Sequence, residues 1–129
     1  MQFKGYHHIG LVVEDVERSL KFYTEEGLGG KVTMSFPMKG TDKTIYMVEL
    51  GGNAVVEILP RGSAGTEANP HWAHIALATD DARAAYALAL EAGATSRTEP
   101  VDKTINEMEV CNAFVFGPDG EIIEFFQVK

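Results

Sequence analysis

Cysteine occurs once in these 129 residues, at Cys111, so an internal disulfide is excluded, and with it the small disulfide-stapled scaffolds. No apolar run approaches the roughly 20 residues that a membrane helix needs. Lys and Arg form no cluster, and 11 bases stand against 19 acids. The resulting net charge of −8 argues against nucleic acid and anionic membrane surfaces as partners. The opening Met1-Gln2-Phe3-Lys4-Gly5 lacks the apolar stretch of a signal peptide, which makes cytoplasmic residence the expectation. What remains is 45% hydrophobic and 23% charged, an ordinary globular composition. The length suits one domain, or two small modules that share a core.

The strongest positive feature is an internal repeat. His8-Ile9-Gly10-Leu11-Val12-Val13 returns as His74-Ile75-Ala76-Leu77-Ala78-Thr79, and each copy leads into an acidic helix start. Each copy also closes on an apolar run with a glutamate inside it, Val55-Val56-Glu57-Ile58-Leu59 and Ile122-Ile123-Glu124-Phe125-Phe126. From histidine to glutamate the spacing is nearly equal, positions 8 to 57 and 74 to 124. The two copies span about residues 5–60 and 71–129 and together make one domain.

Both copies read as β-α-β-β-β. In the first, residues 6–13 alternate as a strand, and Asp15 caps a helix whose apolar stripe is Val16, Leu20 and Tyr23. Gly27 and Gly29 are expected to end that helix. Strands follow at about 31–37, 43–50 and 54–59, the last two joined by a turn at Gly51-Gly52-Asn53. Residues 60–70 carry no periodicity and read as a linker. In the second copy the strand is 72–79, and Asp80 or Asp81 caps a helix with Ala82, Ala85, Tyr86, Ala89 and Leu90 on one face. Gly93 stops it, and strands at about 94–99, 108–116 and 121–128 complete the copy, the last two linked by Gly117-Pro118-Asp119-Gly120. The fold class is therefore α+β, with two paired βαβββ modules whose helix-free faces bound a cleft.

Alternation puts His8 on one face with Gly10 and Val12, and His74 on one face with Ala76 and Ala78. Such small neighbours leave open volume beside each ring. Glu57 shares its face with Val55 and Leu59, Glu124 with Ile122 and Phe126. A carboxylate among apolar side chains loses solvation unless a cation or strong hydrogen bonds compensate. A lone histidine in a strand is usually structural, but two of them, each paired with a glutamate in a repeated module, point to a mixed N/O site for a divalent metal. His7 and His71 are second choices as ligands because neither has a counterpart in the other copy. Glu49 reads as a solvated strand end and Cys111 as a packing residue rather than a nucleophile. Arg61 is a solvated loop charge or, at the cleft mouth, a grip for an anionic substrate group.

The segments His8 to Asp15 with Arg18-Ser19-Leu20-Lys21-Phe22-Tyr23, His74 to Leu77, and Gly117 to Gly120 leading to Glu124 resemble the vicinal oxygen chelate superfamily over nearly the whole chain. That superfamily spans glyoxalase I, methylmalonyl-CoA epimerase, extradiol dioxygenases, fosfomycin-resistance enzymes and metal-free bleomycin-binding proteins. The His, Glu, His, Glu order is most similar to glyoxalase I (lactoylglutathione lyase). The resemblance implies His8, Glu57, His74 and Glu124 as ligands to one Ni, Co, Zn or Mn ion per site, and a homodimer acting on a small molecule. It also implies a metal-assisted proton shift on a hemithioacetal or related α-hydroxycarbonyl, with Glu124, or in second place Glu57, as the base. Val12 stands where the bacterial enzymes carry a glutathione-binding arginine, and Arg61 where they carry an asparagine, so the chain departs from the glyoxalase I pattern at two positions and leaves open whether glutathione is the thiol. An epimerase of the methylmalonyl-CoA type, which shares the opening His-Ile-Gly strand, and a metal-free drug-binding or resistance protein are the alternative readings.

Overall fold

The computed structural model describes residues 2, 7–38, 40–62, 74–105 and 107–129. His71, the core of the expected linker, and the expected strand starts at Tyr6 and at residues 72–73 lie outside the described residues. The chain divides into two units, Met1–Asn69 and Pro70–Lys129. The first holds β1 (Ile9–Val13), α1 (Val16–Tyr23), β2 (Lys31–Pro37), β3 (Thr44–Glu49) and β4 (Val55–Pro60). The second repeats this order with β5 (Ile75–Ala78), α2 (Ala82–Glu91), β6 (Thr95–Ile105), β7 (Met108–Phe116) and β8 (Ile122–Val128). Each unit folds into its own four-stranded sheet, ordered β1-β4-β3-β2 in one and β5-β8-β7-β6 in the other. In both, the first strand lies parallel to the last and the remaining pairs are antiparallel.

The helices start where the sequence places them. The Asp15 side chain accepts a hydrogen bond from the Arg18 N–H at 3.1 Å, and that of Asp81 accepts one from Ala84 at 2.9 Å, each satisfying a donor the first turn cannot pair internally. Helix α1 packs on β4, and α2 on β6, β7 and β8. The face that α1 buries differs from the expected stripe. Ser19, Phe22 and Tyr23 are the buried residues, while Val16 and Leu20 sit at its margin. Apolar spacing alone hides a serine that fits tightly against a sheet. Nor do Gly27 and Gly29 end the helix, which stops at Tyr23 with Thr24 as its C-cap. A Cβ at Gly30 would strike the Tyr23 carbonyl oxygen and the side chains of Val48 and Leu50, so glycine there lets the returning chain pass close under the helix end.

Helix α2 ends in a Schellman motif. The Gly93 N–H donates to Leu90 and the Ala94 N–H to Ala89, with Gly93 at φ +109. Ala82 and Ala89 are fully buried, but Leu90 is 37% exposed and does not belong to the packed face. The expected strand at 94–99 is much longer in the structure, reaching Ile105. Pro100 and the polar run Ser96-Arg97-Thr98-Glu99 read as a strand end, yet β6 is an edge strand, where a missing N–H costs no ladder bond. Two register shifts, at Ser96/Thr98 and Thr98/Val101, absorb the irregularity.

In the first unit Val48, Val56 and Ile58 form the core, and in the second Val110, Ala113, Val115 and Ile123 do. Each sheet thus has a helix-packed face and an opposite face, and Glu57 and Glu124 project from the opposite one.

Candidate functional site

Strand pairing brings each histidine to its glutamate. In the first unit Gly10 is the register partner of Glu57 across the parallel β1–β4 ladder, and His8, two residues before Gly10, shares its face. His8 Nε2 lies 3.7 Å from Glu57 Oε1. In the second unit Ala76 is the register partner of Glu124 across β5–β8, and His74, two residues earlier, lies with Nε2 3.2 Å from Glu124 Oε2. Ala76 and Ala78 are exposed beside the second ring, but beside the first a Cβ at Gly10 would meet Leu59 Cδ1 at 3.2 Å and Glu57 Oε1 at 3.7 Å, so the expected open volume is not found there.

The His8 ring is further fixed by His7. Their Nδ1 atoms share a hydrogen bond at 2.9 Å, which leaves His8 Nε2 to face the carboxylate. His7, a second choice as ligand, therefore contacts the ligand candidate instead of standing apart from it. The His74 ring meets Phe114 edge-on, with centroids 6.0 Å apart. Over the same Phe114 ring lies the Arg97 guanidinium, 5.4 Å from the centroid, a cation–π contact on the glutamate-bearing face. Arg97 is the unpaired residue of the first β6 bulge, a device that re-aims a side chain out of strict alternation.

The two glutamates differ in their surroundings. Glu124 is 7% exposed, and its Oε1 accepts a 2.9 Å hydrogen bond from Asn112 Nδ2, itself buried. Glu57 is less buried, with a 19% exposed side chain. Arg97, Phe114 and Asn112 escaped the sequence reading. Asn112 had a signal, a carboxamide at an inward position of the otherwise apolar run Val110 to Phe116; Arg97 had none, because a bulge breaks the period on which placement depends.

Of the other candidates, Arg61 reaches Glu14 at 3.8 Å as an exposed pair. Glu49 ends β3 and is exposed. Cys111 is buried on the helix-packed face, and its thiol is pushed up from the ordinary value first by burial and then by its contact with Asp102.

Two donors bonded to one ion at about 2.0–2.1 Å lie ~3.0–3.4 Å apart. The 3.2 Å pair in the second unit has that separation, and the 3.7 Å pair in the first needs only a small closure. Imidazole nitrogen with carboxylate oxygen is a donor combination that first-row divalent metals accept. Among the described residues no three His, Cys, Asp or Glu side chains gather as a metal site, and what the structure brings together is one His–Glu pair in each unit.

Comparison with known proteins bears on the family and the fold. Residues 5–125 match the family described as the Glyoxalase/Bleomycin resistance protein/Dioxygenase superfamily. The uncharacterized protein YwbC of Bacillus subtilis is 33% identical over 126 residues, covering 96% of this chain and 98% of its own. Among solved structures, a glyoxalase I variant from Zea mays superposes with a TM-score of 0.72 at 23% identity, over 93% of this chain but only 43% of the maize one. TnmS3, an antibiotic binding protein from Streptomyces sp. CB03234, superposes with a TM-score of 0.73 at 22% identity, over 100% of this chain and 99% of that one.

Proposed function

Because the chain belongs to the Glyoxalase/Bleomycin resistance protein/Dioxygenase superfamily, we propose that its His–Glu pairs are ligands for a divalent metal and that it is a lyase or isomerase of the glyoxalase I kind. The observation that carries the reading is the twin pair: an imidazole Nε2 facing a carboxylate, at the same strand register in both units. Duplication alone would repeat the residues. It would not require each buried or half-buried carboxylate to keep an imidazole in front of it, and a bound cation is one way to compensate such a carboxylate.

His8, Glu57, His74 and Glu124 are the ligands in this reading, and Ni, Co, Zn and Mn all suit them. A divalent ion held there would supply Lewis acidity, which acidifies the C–H α to the carbonyl of an α-hydroxycarbonyl or hemithioacetal. The protein's part is to orient and to move the proton. The small, exposed side chains of Ala76 and Ala78 keep the sheet face beside His74 low, which suits the approach of a small substrate. One of the two glutamates takes the carbon-bound proton and returns it to the adjacent carbon, a transfer that needs the carboxylate within hydrogen-bond reach of both carbons. We read the working protein as a homodimer in the cytoplasm.

The test is elemental analysis of the purified protein before and after chelation, with turnover of the hemithioacetals that methylglyoxal forms with several thiols. The expected result is about one metal per chain, lost in His8→Ala and His74→Ala, and turnover that depends on it. No metal uptake from Ni, Co, Zn or Mn overturns the enzyme reading.

A second reading has a specific observation in its favour. Phe114, with Arg97 across its ring, offers an aromatic and cationic surface beside His74, which suits stacking of a flat organic molecule, and an antibiotic binding protein has the same fold. Tight binding of such a compound by protein that takes up no metal would decide for it.

A further inference from the structure

The sheet that carries Glu124 also carries a cation with no acid opposite it. β2 and β6 are the edge strands of their sheets, and both break register just before the row of the glutamate. In the first unit the break is at Val32/Met34, where Met34 pairs with Met47, the partner of Glu57. In the second it is at Ser96/Thr98, where Thr98 pairs with Phe114, the partner of Glu124. The residue left out of the ladder is Thr33 in one unit and Arg97 in the other. The fold therefore accepts a small neutral residue at this bulge, and nothing in the backbone calls for an arginine. Arg97 lies 5.4 Å from the centre of the Phe114 ring, and Phe114 in turn meets His74 edge-on. Two other arginines are met by carboxylates, Arg61 by Glu14 at 3.8 Å and Arg83 by Asp102 at 3.0 Å. Among the described residues Arg97 has the ring and no ion pair, in a chain with 19 acids against 11 bases. A ring face attracts the charge but does not accept the fork of N–H bonds that a guanidinium offers a planar oxyanion.

We infer that Arg97 is a specificity-determining residue: on the glutamate-bearing face of the second unit it takes the anionic group of a small organic molecule whose apolar body rests on Phe114 and Val101. Val101 is the register partner of Asn112 and is 45% exposed, so apolar surface continues beside Phe114. Every group invoked belongs to one unit. The inference deepens the small-molecule reading proposed above by naming the charge of the ligand, and it rests on that reading for the face where the ligand lies, with or without a metal. It also moves the anion grip away from Arg61, a candidate for that role by sequence, which in the structure faces Glu14. Both oxygens of Glu124 are engaged, by Asn112 at 2.9 Å and His74 at 3.2 Å, so an approaching anion does not meet an unpaired carboxylate beside Phe114.

The experiment is fluorescence titration of the full chain, before and after chelator treatment, with two probes that share one ring system, 2-naphthoate and the uncharged 2-naphthamide. The wild type is compared with Arg97→Leu, Arg97→Lys, Phe114→Leu and Lys21→Ala, with circular dichroism as the check on folding. The wild type is expected to bind 2-naphthoate about tenfold or more tightly than 2-naphthamide, the size of preference that hydrogen bonds to a charged group supply. Arg97→Leu should abolish that preference without weakening 2-naphthamide. Arg97→Lys should keep part of it, because lysine retains the charge and loses the fork. Phe114→Leu should weaken both probes. Lys21→Ala removes one positive charge from an exposed pair on α1 and should behave as the wild type. Equal affinity of the wild type for the two probes, a preference that survives in Arg97→Leu, or a preference that vanishes on chelation while Arg97 is intact overturns the inference and leaves the face standing as a small-molecule site. Binding of neither probe, or binding indifferent to Phe114→Leu, overturns the inference together with the placement of the ligand on this face. Metal uptake and hemithioacetal turnover, measured separately, decide the lyase reading in either case.

Discussion

Asp102 is the most strongly perturbed acid described, and its perturbation lies away from the His–Glu pairs. Lys129 Nζ reaches one of its oxygens at 2.7 Å and Arg83 the other at 3.0 Å, and these two cations hold its carboxyl down to about 2 from 3.8. A carboxyl whose folded value is depressed stabilises the fold above its unfolded value and stops doing so as pH falls through the folded one. The Asp102 contribution is therefore complete above about pH 4 and fades between 3.8 and about 2. In Asp102→Asn the urea midpoint should fall modestly at pH 6, and the gap from the wild type should close by pH 2. Cys111, next to that cluster, gives a second expectation. Its thiol is buried and pushed toward the neutral form, so an aromatic disulfide reagent at neutral pH should find no reactive thiol in the native protein and one per chain in denaturant. Reaction of the native protein at the rate of free cysteine would show that β7 opens readily.

At the scale of elements, the β6–β7 hairpin carries the clearest local strain. Ile105 pairs with Met108, which leaves a two-residue loop, and Glu107 sits there at φ +70, a conformation that costs a side chain more than it costs glycine. Glu107→Gly should raise stability by about 0.5–1 kcal/mol, the relief of the left-handed penalty less the added chain entropy of glycine. Chemical denaturation measures it, and a loss of stability would mean that the Glu107 side chain makes up for its backbone. These two strands also mark where the sequence stops being readable. β2, β3, β4, β7 and β8 were legible to within about a residue from their β-branched and apolar runs; burial alternates along β4, whereas β2 is exposed throughout. The reach of β6 to Ile105 was not, because bulges and a proline erase the period. The burial of Ser19 and the exposure of Leu90 were hidden for a related reason: helical spacing names a stripe, and shape at the contact chooses its centre.

For the whole molecule, the His–Glu repeat was legible because chemistry and spacing coincided in two copies. The pairs His8–Glu57 and His74–Glu124 form as that spacing requires. The difference between the two faces was not legible, since it turns on Arg97 against Thr33, two bulge positions that the repeat aligns only once the strand registers are known. If both pairs serve one ion, metal should stabilise the entire fold by linkage, with free ion at 100 times its dissociation constant adding about 2.7 kcal/mol. Calorimetry with and without Zn²⁺ should then show a rise of several degrees in Tm for the wild type and none for His8→Ala or His74→Ala. A rise that survives loss of either histidine would place the ion elsewhere.

The pairing of each unit's first strand with its last also bears on how the protein is made. β1 waits for β4, and β5 for β8, before either ladder can close. During synthesis the glutamate strand is the last part of each unit to leave the ribosome, so no His–Glu pair exists on a partly made unit. A nascent chain stalled short of β4 presents a histidine without its carboxylate, and each His–Glu pair arrives only as its unit is completed.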